Sequence, residues 1–230
     1  MMRVALVGKD ILSVEKNFSR HGLTRDDDHP EVVISVGGDG TLLLAERHYP
    51  GVPKLPLRKS RTSRKTHRHK TEVLLDYLAA GKLLEIPHTK LQVVHGRKKL
   101  LALNDVIFHN ELVTSAVRYK VAIDGKDHGG DIIGDGLIVA TPFGSTAYYR
   151  SITHSFFQVG IGLAFNNSIE PVDHLVLRDD SVIKVTVVRG PALVAADNNP
   201  DYFHLQVGGV VTVRKADHAA LILAVPEGRD

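Results

Sequence analysis

The chain has 230 residues, 43% of them apolar and 24% charged, and no apolar run near the roughly 18 residues of a membrane span, so it reads as a soluble globular protein of one or two domains. It contains no cysteine, which excludes disulfides, thiol nucleophiles and Cys-ligated zinc or iron–sulfur sites and leaves oxygen, nitrogen or a loosely held cation for any chemistry. The net charge of +3 is concentrated in one place: between Arg58 and Lys70, "RKSRTSRKTHRHK", seven of thirteen residues are Lys or Arg, and removing those seven from 29 leaves 22 basic residues against 26 acidic ones.

The N-terminal "MMRVALVGKDILSV" has an apolar run without a signal-peptide h-region and cleavage site, so it reads as a first strand over residues 2–8, with the cytoplasm as the expected compartment. Residues 11–21 read as a helix and "GLTRDDDHP" as a polar connection that ends at a proline. A β-branched strand over 31–36 leads into "GGDG" and a helical "TLLLAERH". After the proline-broken "YPGVPKLPL" and the basic stretch, "TEVLLDYLAAGKLL" places Val73, Leu74, Tyr77, Leu78 and Leu83 on one helical face, with Gly81 near its end. Strand, helix, strand, glycine turn, helix is the rhythm of a parallel, Rossmann-like α/β sheet.

From about Leu84 the pattern becomes period-two: "KLQVVHG", "KKLLALNDVIFHN", "AVRYKVAIDGK", "DGLIVATP", "SVIKVTVVRG", "HLQVGGVVTVRK" and "AALILAV". The Asp-Gly in "IDGK" marks a hairpin. The expected organisation is an α/β domain over 1–90 and a β-rich, β-sandwich-like domain over 91–230, whose last residues are candidates to pack back on the first. No internal repeat or low-complexity linker interrupts them.

The chemistry gathers at "VVISVGGDGTLLLAER", residues 32–47. Glycines after a strand let the backbone turn tightly and approach a ligand, and the following helix start offers unpaired N–H groups to anions. The segment is neither a Walker A loop nor a G-x-G-x-x-G fingerprint. An ionised Asp39 would repel bare polyphosphate, so it suits a divalent cation or a proton from an attacking hydroxyl, both of which belong to phosphoryl transfer. The structural alternative is an Asp that caps the next helix. Further on, Leu137 to Ala140 reads as a strand. Pro142 and Gly144 then set a turn, and Ser145, Thr146 and Tyr148 offer hydroxyls near a helix start, a pattern that suits a nucleoside or, alternatively, a capped helix with Tyr148 in the core.

The run Gly37 to Thr41, "GGDGT", resembles the signature of a kinase superfamily that includes NAD kinases, diacylglycerol and sphingosine kinases and, more distantly, phosphofructokinases. "GDGLIVATPFGSTAYYRS", Gly134 to Ser151, is similar to the NAD kinase motif in which a DGL strand leads into TP-x-G-S-T-A-Y, and "ALNDV", Ala102 to Val106, resembles that family's Asn-acidic motif. The resemblance spans roughly residues 32–48 and 100–215. It implies a phosphotransferase that moves the terminal phosphoryl group of ATP, or of polyphosphate, to the 2′-hydroxyl of NAD to give NADP, with Mg²⁺ as the cation. By the same likeness Asp39 activates the 2′-hydroxyl, Gly38, Gly40 and Thr41 lie near phosphate, Asn104 and Asp105 bind ribose or adenine, and Asp135, Thr146, Ala147 and Tyr148 line the dinucleotide pocket. A homo-oligomer, dimer or tetramer, with the site between domains is also implied.

The chain departs from that family where "PKLPLRKSRTSRKTHRHK" stands in place of a G-I-N-x-G-x-L-G-F-L loop, where "RSITHSFF" replaces a helix with a Gly-Gly pair, and where Asp105 replaces the commoner Glu. For the basic stretch, one reading is a clamp on the donor's phosphates through Arg58, Lys59, Arg61, Arg64 and Lys65. A solvated loop and a nucleic-acid contact are the others, although the run lacks the interleaved aromatics that base stacking uses. His67 and His69 are a weak metal signal, since two histidines in a basic loop without a carboxylate or cysteine are more often charge than ligand, and no metal-binding set is assigned. Asp197 with Asn198 and Asn199 reads as an Asx-type turn, with a pocket edge as the alternative. The functional alternatives are a kinase of another hydroxyl acceptor, such as a lipid or nucleoside, and a non-catalytic nucleotide- or nucleic-acid-binding protein.

Overall fold

The computed structural model describes residues 1–58, 65–67 and 69–226. In chain order the elements are β1 (Met2–Gly8), α1 (Leu12–Glu15), β2 (Leu23–Arg25), β3 (Val32–Gly37), α2 (Asp39–His48), β4 (Lys54–Arg58), α3 (Thr71–Ala79) and β5 (Leu84–His88). There follow β6 (Leu91–His95), β7 (Lys98–Ala102), β8 (Asp105–Asn110), β9 (Val117–Ile123), β10 (Lys126–Gly134), β11 (Gly136–Ala140) and α4 (Tyr148–Thr153). The remainder are β12 (Ile161–Asn166), β13 (Leu175–Leu177), β14 (Ile183–Arg189), β15 (Ala192–Ala196), β16 (Tyr202–Leu205), β17 (Val210–Lys215) and β18 (Ala220–Ala224). They divide into two compact units, Met1–His88 with Ala219–Asp230, and Thr89–His218.

The first unit is an α/β layer structure around a sheet ordered β2-β1-β3-β4-β18-β5, parallel except for the edge pair of β18 and β5. Its central strands are mostly apolar because both faces are covered, with Ser35 and Lys54 as buried polar residues. Val4, Leu6, Val32, Ile34 and Val36 pack with Val14, Phe18, Leu74, Leu75 and Leu78 on one side, whereas Ala5, Val7 and Val33 pack with Ala45 of α2 on the other. The helix expected over 11–21 is shorter: α1 spans Leu12–Glu15, and a 3₁₀ turn follows at Phe18–His21, capped by left-handed Gly22. Only Val14 and Phe18 of this stretch are buried, and the Asn17 amide donates to the Ser13 carbonyl at 3.1 Å, so little apolar surface holds a longer helix. The connection "GLTRDDDHP" supplies the edge strand β2. In α3 the buried face is Leu74, Leu75 and Leu78; Val73 is exposed, and Leu84 already belongs to β5.

A buried charged pair joins a strand and a helix of this unit. Lys54, fully buried at the start of β4, donates to the Glu46 carboxylate on α2 and to the Tyr49 carbonyl at 2.7 Å. It joins the amino end of a central strand to the last turn of α2.

The second unit is a sandwich of two antiparallel six-stranded sheets, β10-β9-β14-β17-β6-β7 and β13-β12-β11-β8-β15-β16. One core joins their inner faces: Val117, Tyr119, Val121, Val185 and Val211 from one sheet meet Val106, Phe108, Leu137, Val139, Leu163 and Val194 from the other. The Tyr119 hydroxyl donates to the Gly136 carbonyl at 2.9 Å, and burial pushes its pKa well above the usual phenol value. The outer face of the second sheet is covered as well, because Ile138, Ala140 and Ala164 pack against Tyr149 of α4. This is why β11 lacks alternation and all five of its residues are buried. Two segments read as single strands are pairs: "KKLLALNDVIFHN" breaks at Leu103–Asn104 into β7 and β8, and "HLQVGGVVTVRK" breaks into β16 and β17. β12 and β15, both inner strands of that sheet, carried too little alternation to stand out.

The buried ion pair gives a stability test. Lys54→Met leaves the Glu46 carboxylate without its cation and should cost about 3–5 kcal/mol in chemical denaturation, whereas Lys54→Met with Glu46→Leu should recover most of that loss.

Candidate functional site

In the first unit, β1 and β3 are neighbours whose following segments lead to opposite sides of the sheet, toward β2 and β4. The carboxyl ends of two such strands form the crevice in which open α/β sheets bind ligands. The GGDGT turn stands there, and two glycines build it. A Cβ on Gly8 would lie 2.2 Å from the Val36 carbonyl oxygen, and one on Gly37 would lie 2.2 Å from Oγ1 of Thr41. Thr41 therefore folds back over the strand ends and locks the turn. Gly38 is the extended N-cap of α2, and its carbonyl accepts from the Thr41 and Leu42 amides at 3.0 and 3.3 Å.

Asp39 is the first residue of α2, and the N-cap position before it is held by Gly38. Its half-buried carboxylate accepts from the backbone N–H of Lys65 at 3.1 Å. The chain at residues 65–67 returns to the same sheet end: His67 bridges to Leu57, its amide donates to the Pro56 carbonyl at 3.2 Å, and its Nε2 lies 2.7 Å from the Leu223 carbonyl oxygen. Burial lowers the pKa of His67, partly offset by that carbonyl, and burial with the charge of Lys65 lowers that of His88, so neither imidazole is a good cation near neutral pH. Arg58 stands opposite Gly37 in the β3–β4 ladder. Two of the five basic candidates, Arg58 and Lys65, are thus placed at the end of the sheet that carries Asp39. Lys59, Arg61 and Arg64 lie outside the described residues.

In the second unit the candidate residues lie along β11. Asp105, the buried first residue of β8, is in register with Ala140 at the carboxyl end of β11, and Asn104 precedes it. Asp135 immediately precedes Gly136 at the amino end, roughly 17 Å away at about 3.4 Å per residue. Asp135 Oδ2 accepts from the Asn167 amide at 2.6 Å, and the Asp135 amide donates to the Asn166 carbonyl at 2.9 Å. Thr146, Ala147 and Tyr148, all half-buried, lead into α4, and the Tyr148 hydroxyl is 3.4 Å from the Asn166 amide nitrogen. Tyr148, Ser151, Ile152, Asn166, Asn167 and Glu170 help line a cleft of about 510 Å³. Ser145 has a different place from the one its neighbours suggest: it is buried, with its hydroxyl 2.8 and 2.9 Å from the carbonyl oxygens of Pro142 and Phe157.

Glycines again allow the close approaches. A Cβ on Gly136 would lie 1.9 Å from the Phe108 carbonyl oxygen, and one on Gly144 would lie 2.0 Å from that of Asn104. No motif pointed to Asn166 and Asn167. For Asp197 the local pattern favoured a turn over a pocket edge; its carboxylate accepts from the amides of Leu103, Asn104 and Asp105. Those partners lie 92 to 94 residues earlier, beyond the reach of any local pattern.

The model of the ATP-NAD kinase C-terminal domain matches residues 103–225, more than half of the chain. A NAD kinase of Lactobacillus delbrueckii subsp. bulgaricus is 27% identical over 215 residues, an alignment that covers 85% of this chain and 77% of that protein. Among solved structures, an NAD kinase from Archaeoglobus fulgidus in complex with ATP aligns over 98% of this chain and 95% of its own with a TM-score of 0.81 at 20% identity. A yeast NADH kinase complexed with NADH aligns over 97% of this chain and 83% of its own, with a TM-score of 0.82 at 16% identity. A domain model that begins at the Leu103–Asp105 turn and takes in β11, α4 and Asp197, together with a shared two-part fold, leads to one assignment: the chain belongs to the NAD kinase family.

Proposed function

We propose that this protein transfers the terminal phosphoryl group of ATP to the 2′-hydroxyl of NAD, giving NADP and ADP. The observation that carries the reading is Asp39, a carboxylate at the first turn of α2 on the sheet's switch point, in a chain that belongs to the NAD kinase family. The 2′-oxygen bonds to the γ-phosphorus as the bond to the β–γ bridging oxygen breaks. ADP leaves, and the hydroxyl proton passes to Asp39. Gly38 and Gly40 carry no side chain at the helix start, where the amide dipoles favour negative charge, which suits a phosphate. Thr41 keeps that turn in shape.

Among the described residues no group of three or more His, Asp or Glu is placed to hold a metal ion. A single carboxylate in the turn fits Mg²⁺ that is carried largely by the donor's phosphates and water, with Asp39 as the protein group beside it. When bound, the ion would neutralise charge on the donor's phosphates. Arg58 and Lys65, with Lys59, Arg61 and Arg64 of the same stretch, supply further positive charge for a triphosphate or polyphosphate donor.

In the second unit, Asn104 and Asp105 at one end of β11 and Asp135 with Tyr148 toward the other suit a ligand with two separated nucleoside groups. Thr146 and Ala147 directly precede Tyr148 in the chain. Asn104 supplies both donor and acceptor to a purine or ribose edge, and Tyr148 supplies a ring face. The absence of cysteine fits a reducing compartment, and we assign the reaction to the cytoplasm. We also assign a homo-oligomer, dimer or tetramer: exposed Val159 and Val176 line a second cleft, of about 690 Å³, and sedimentation velocity would read the assembly.

Purified protein with Mg²⁺ should form NADP from NAD when given ATP, and parallel reactions with polyphosphate and NADH define the donor and acceptor. Asp39→Asn should lower kcat by about 10²–10⁴-fold with an unchanged circular dichroism spectrum; full activity in that variant would sink the assignment. Arg58→Ala and Lys65→Ala should each raise the KM for ATP about tenfold and leave that for NAD unchanged, since the Lys65 bond to Asp39 is made by the backbone.

A further inference from the structure

We propose that Asp197 is a positioning residue for the acceptor nucleotide: its carboxylate fixes the Leu103–Asp105 turn in the conformation that presents Asn104 and Asp105 to NAD. The inference rests on the reading above that those two residues bind NAD. Asp197 Oδ2 accepts from the Leu103 amide at 2.7 Å, and Oδ1 accepts from the Asn104 amide at 2.8 Å and the Asp105 amide at 3.1 Å. Three successive N–H groups that converge on one carboxylate form an anion-binding nest whose anion is part of the protein. The amide of Asp197 also donates to the Asp105 carbonyl at 3.0 Å, so the two segments hold each other in both directions.

The carbonyl side of the turn is held as firmly. The Thr141 hydroxyl donates to the Leu103 carbonyl at 2.6 Å, and the Thr141 amide donates to the Asn104 carbonyl at 2.9 Å. Gly144 closes against the Asn104 backbone where no side chain fits. With amides bound by Asp197 and carbonyls by Thr141, the backbone of Asn104 has little freedom to rotate. Asp197 itself sits at φ +50°, a left-handed conformation that is uncommon outside glycine and that Asp and Asn tolerate best. The charge of the carboxylate strengthens all three bonds relative to a neutral acceptor.

Asp124 supplies the matched control. It has φ +51°, its carboxylate accepts from the Val182 amide at 2.8 Å and the Ser181 hydroxyl at 3.1 Å, and it lies in the same unit at a hairpin that carries no candidate nucleotide contact. A carboxylate that only closes a turn should behave as Asp124 does.

The test compares Asp197→Asn, Asp197→Glu, Asp124→Asn and Asn104→Ala by KM for NAD and for ATP, by kcat, by NAD affinity from titration calorimetry and by thermal midpoint. Asp197→Asn turns an amide N–H₂ toward the Leu103 N–H or leaves it unbonded, and should raise the KM and dissociation constant for NAD at least tenfold. The KM for ATP should stay within twofold and kcat should recover at saturating NAD. Asp197→Glu, which keeps the charge but shifts it by one methylene, should give a smaller NAD-selective loss and serves if the Asn variant does not fold. Asp124→Asn should lower the thermal midpoint with neither KM altered. The proposal is overturned if the NAD and ATP constants of the Asp197 variants move together, or if they match the Asp124 control. If Asn104→Ala leaves NAD affinity unchanged, the assignment of Asn104 fails and the proposal falls with it. If Asn104→Ala weakens NAD binding and the Asp197 variants do not, the positioning role alone is refuted.

Discussion

Two pieces of backbone can approach within touching distance only where one of them lacks a side chain, and the candidate residues of this protein are held by such approaches. At Gly136 a methyl group would stand 1.9 Å from the Phe108 carbonyl oxygen, and at Gly144 it would stand 2.0 Å from that of Asn104. The first lets β11 pair closely with β8 at the end marked by Asp135; the second lets the turn before α4 press on the Asn104 backbone at the other end. Gly8 and Gly37 do the same for Thr41 and the turn that carries Asp39. A ligand site needs its groups within a fraction of an ångström of a working position, and backbone locked against backbone moves less than side chain against side chain.

Charge is organised around these locked turns. Asp39 shares the end of the parallel sheet with Arg58, Lys65 and the first amides of α2, so basic groups and helix-start N–H groups stand at the same sheet end as its carboxylate. That arrangement suits an anionic ligand whose own charge must be offset. The Lys54–Glu46 pair sits at the other end of the same strands and has a different job. Buried and mutually satisfied, it ties α2 to β4 from behind and so helps fix the helix whose first turn carries Asp39.

Much of this was legible in the residues. The apolar β-branched run before GGDGT reported a strand buried on both faces, and the alternating segments after residue 90 reported strands with one face in a core. Expectations failed where tertiary packing overrode local pattern. A helix over 11–21 shrank to one turn and a 3₁₀ segment because only Val14 and Phe18 found a core. Val73 turned outward while Leu75 turned in, since α3 packs through Leu74, Leu75 and Leu78. β12 and β15 went unread because their outer and inner faces are both apolar or small, which erases the period of two.

The sequence by itself determined the chemistry on offer: a single acidic residue in a glycine turn, hydroxyls and an Asn-Asp pair near a second glycine turn, a dense run of positive charge and no thiol. Those are properties of residue type and short spacing, which a chain carries whether or not it is folded. Only the tertiary structure decided which groups act together. It set Arg58 beside Gly37 through strand pairing, brought the Lys65 amide back to Asp39 across 26 residues, and carried Asp197 to the amides of Leu103, Asn104 and Asp105 across more than 90. Contacts at such separations follow from sheet order and register, and these are set by burial of whole faces, a property no short stretch of sequence contains.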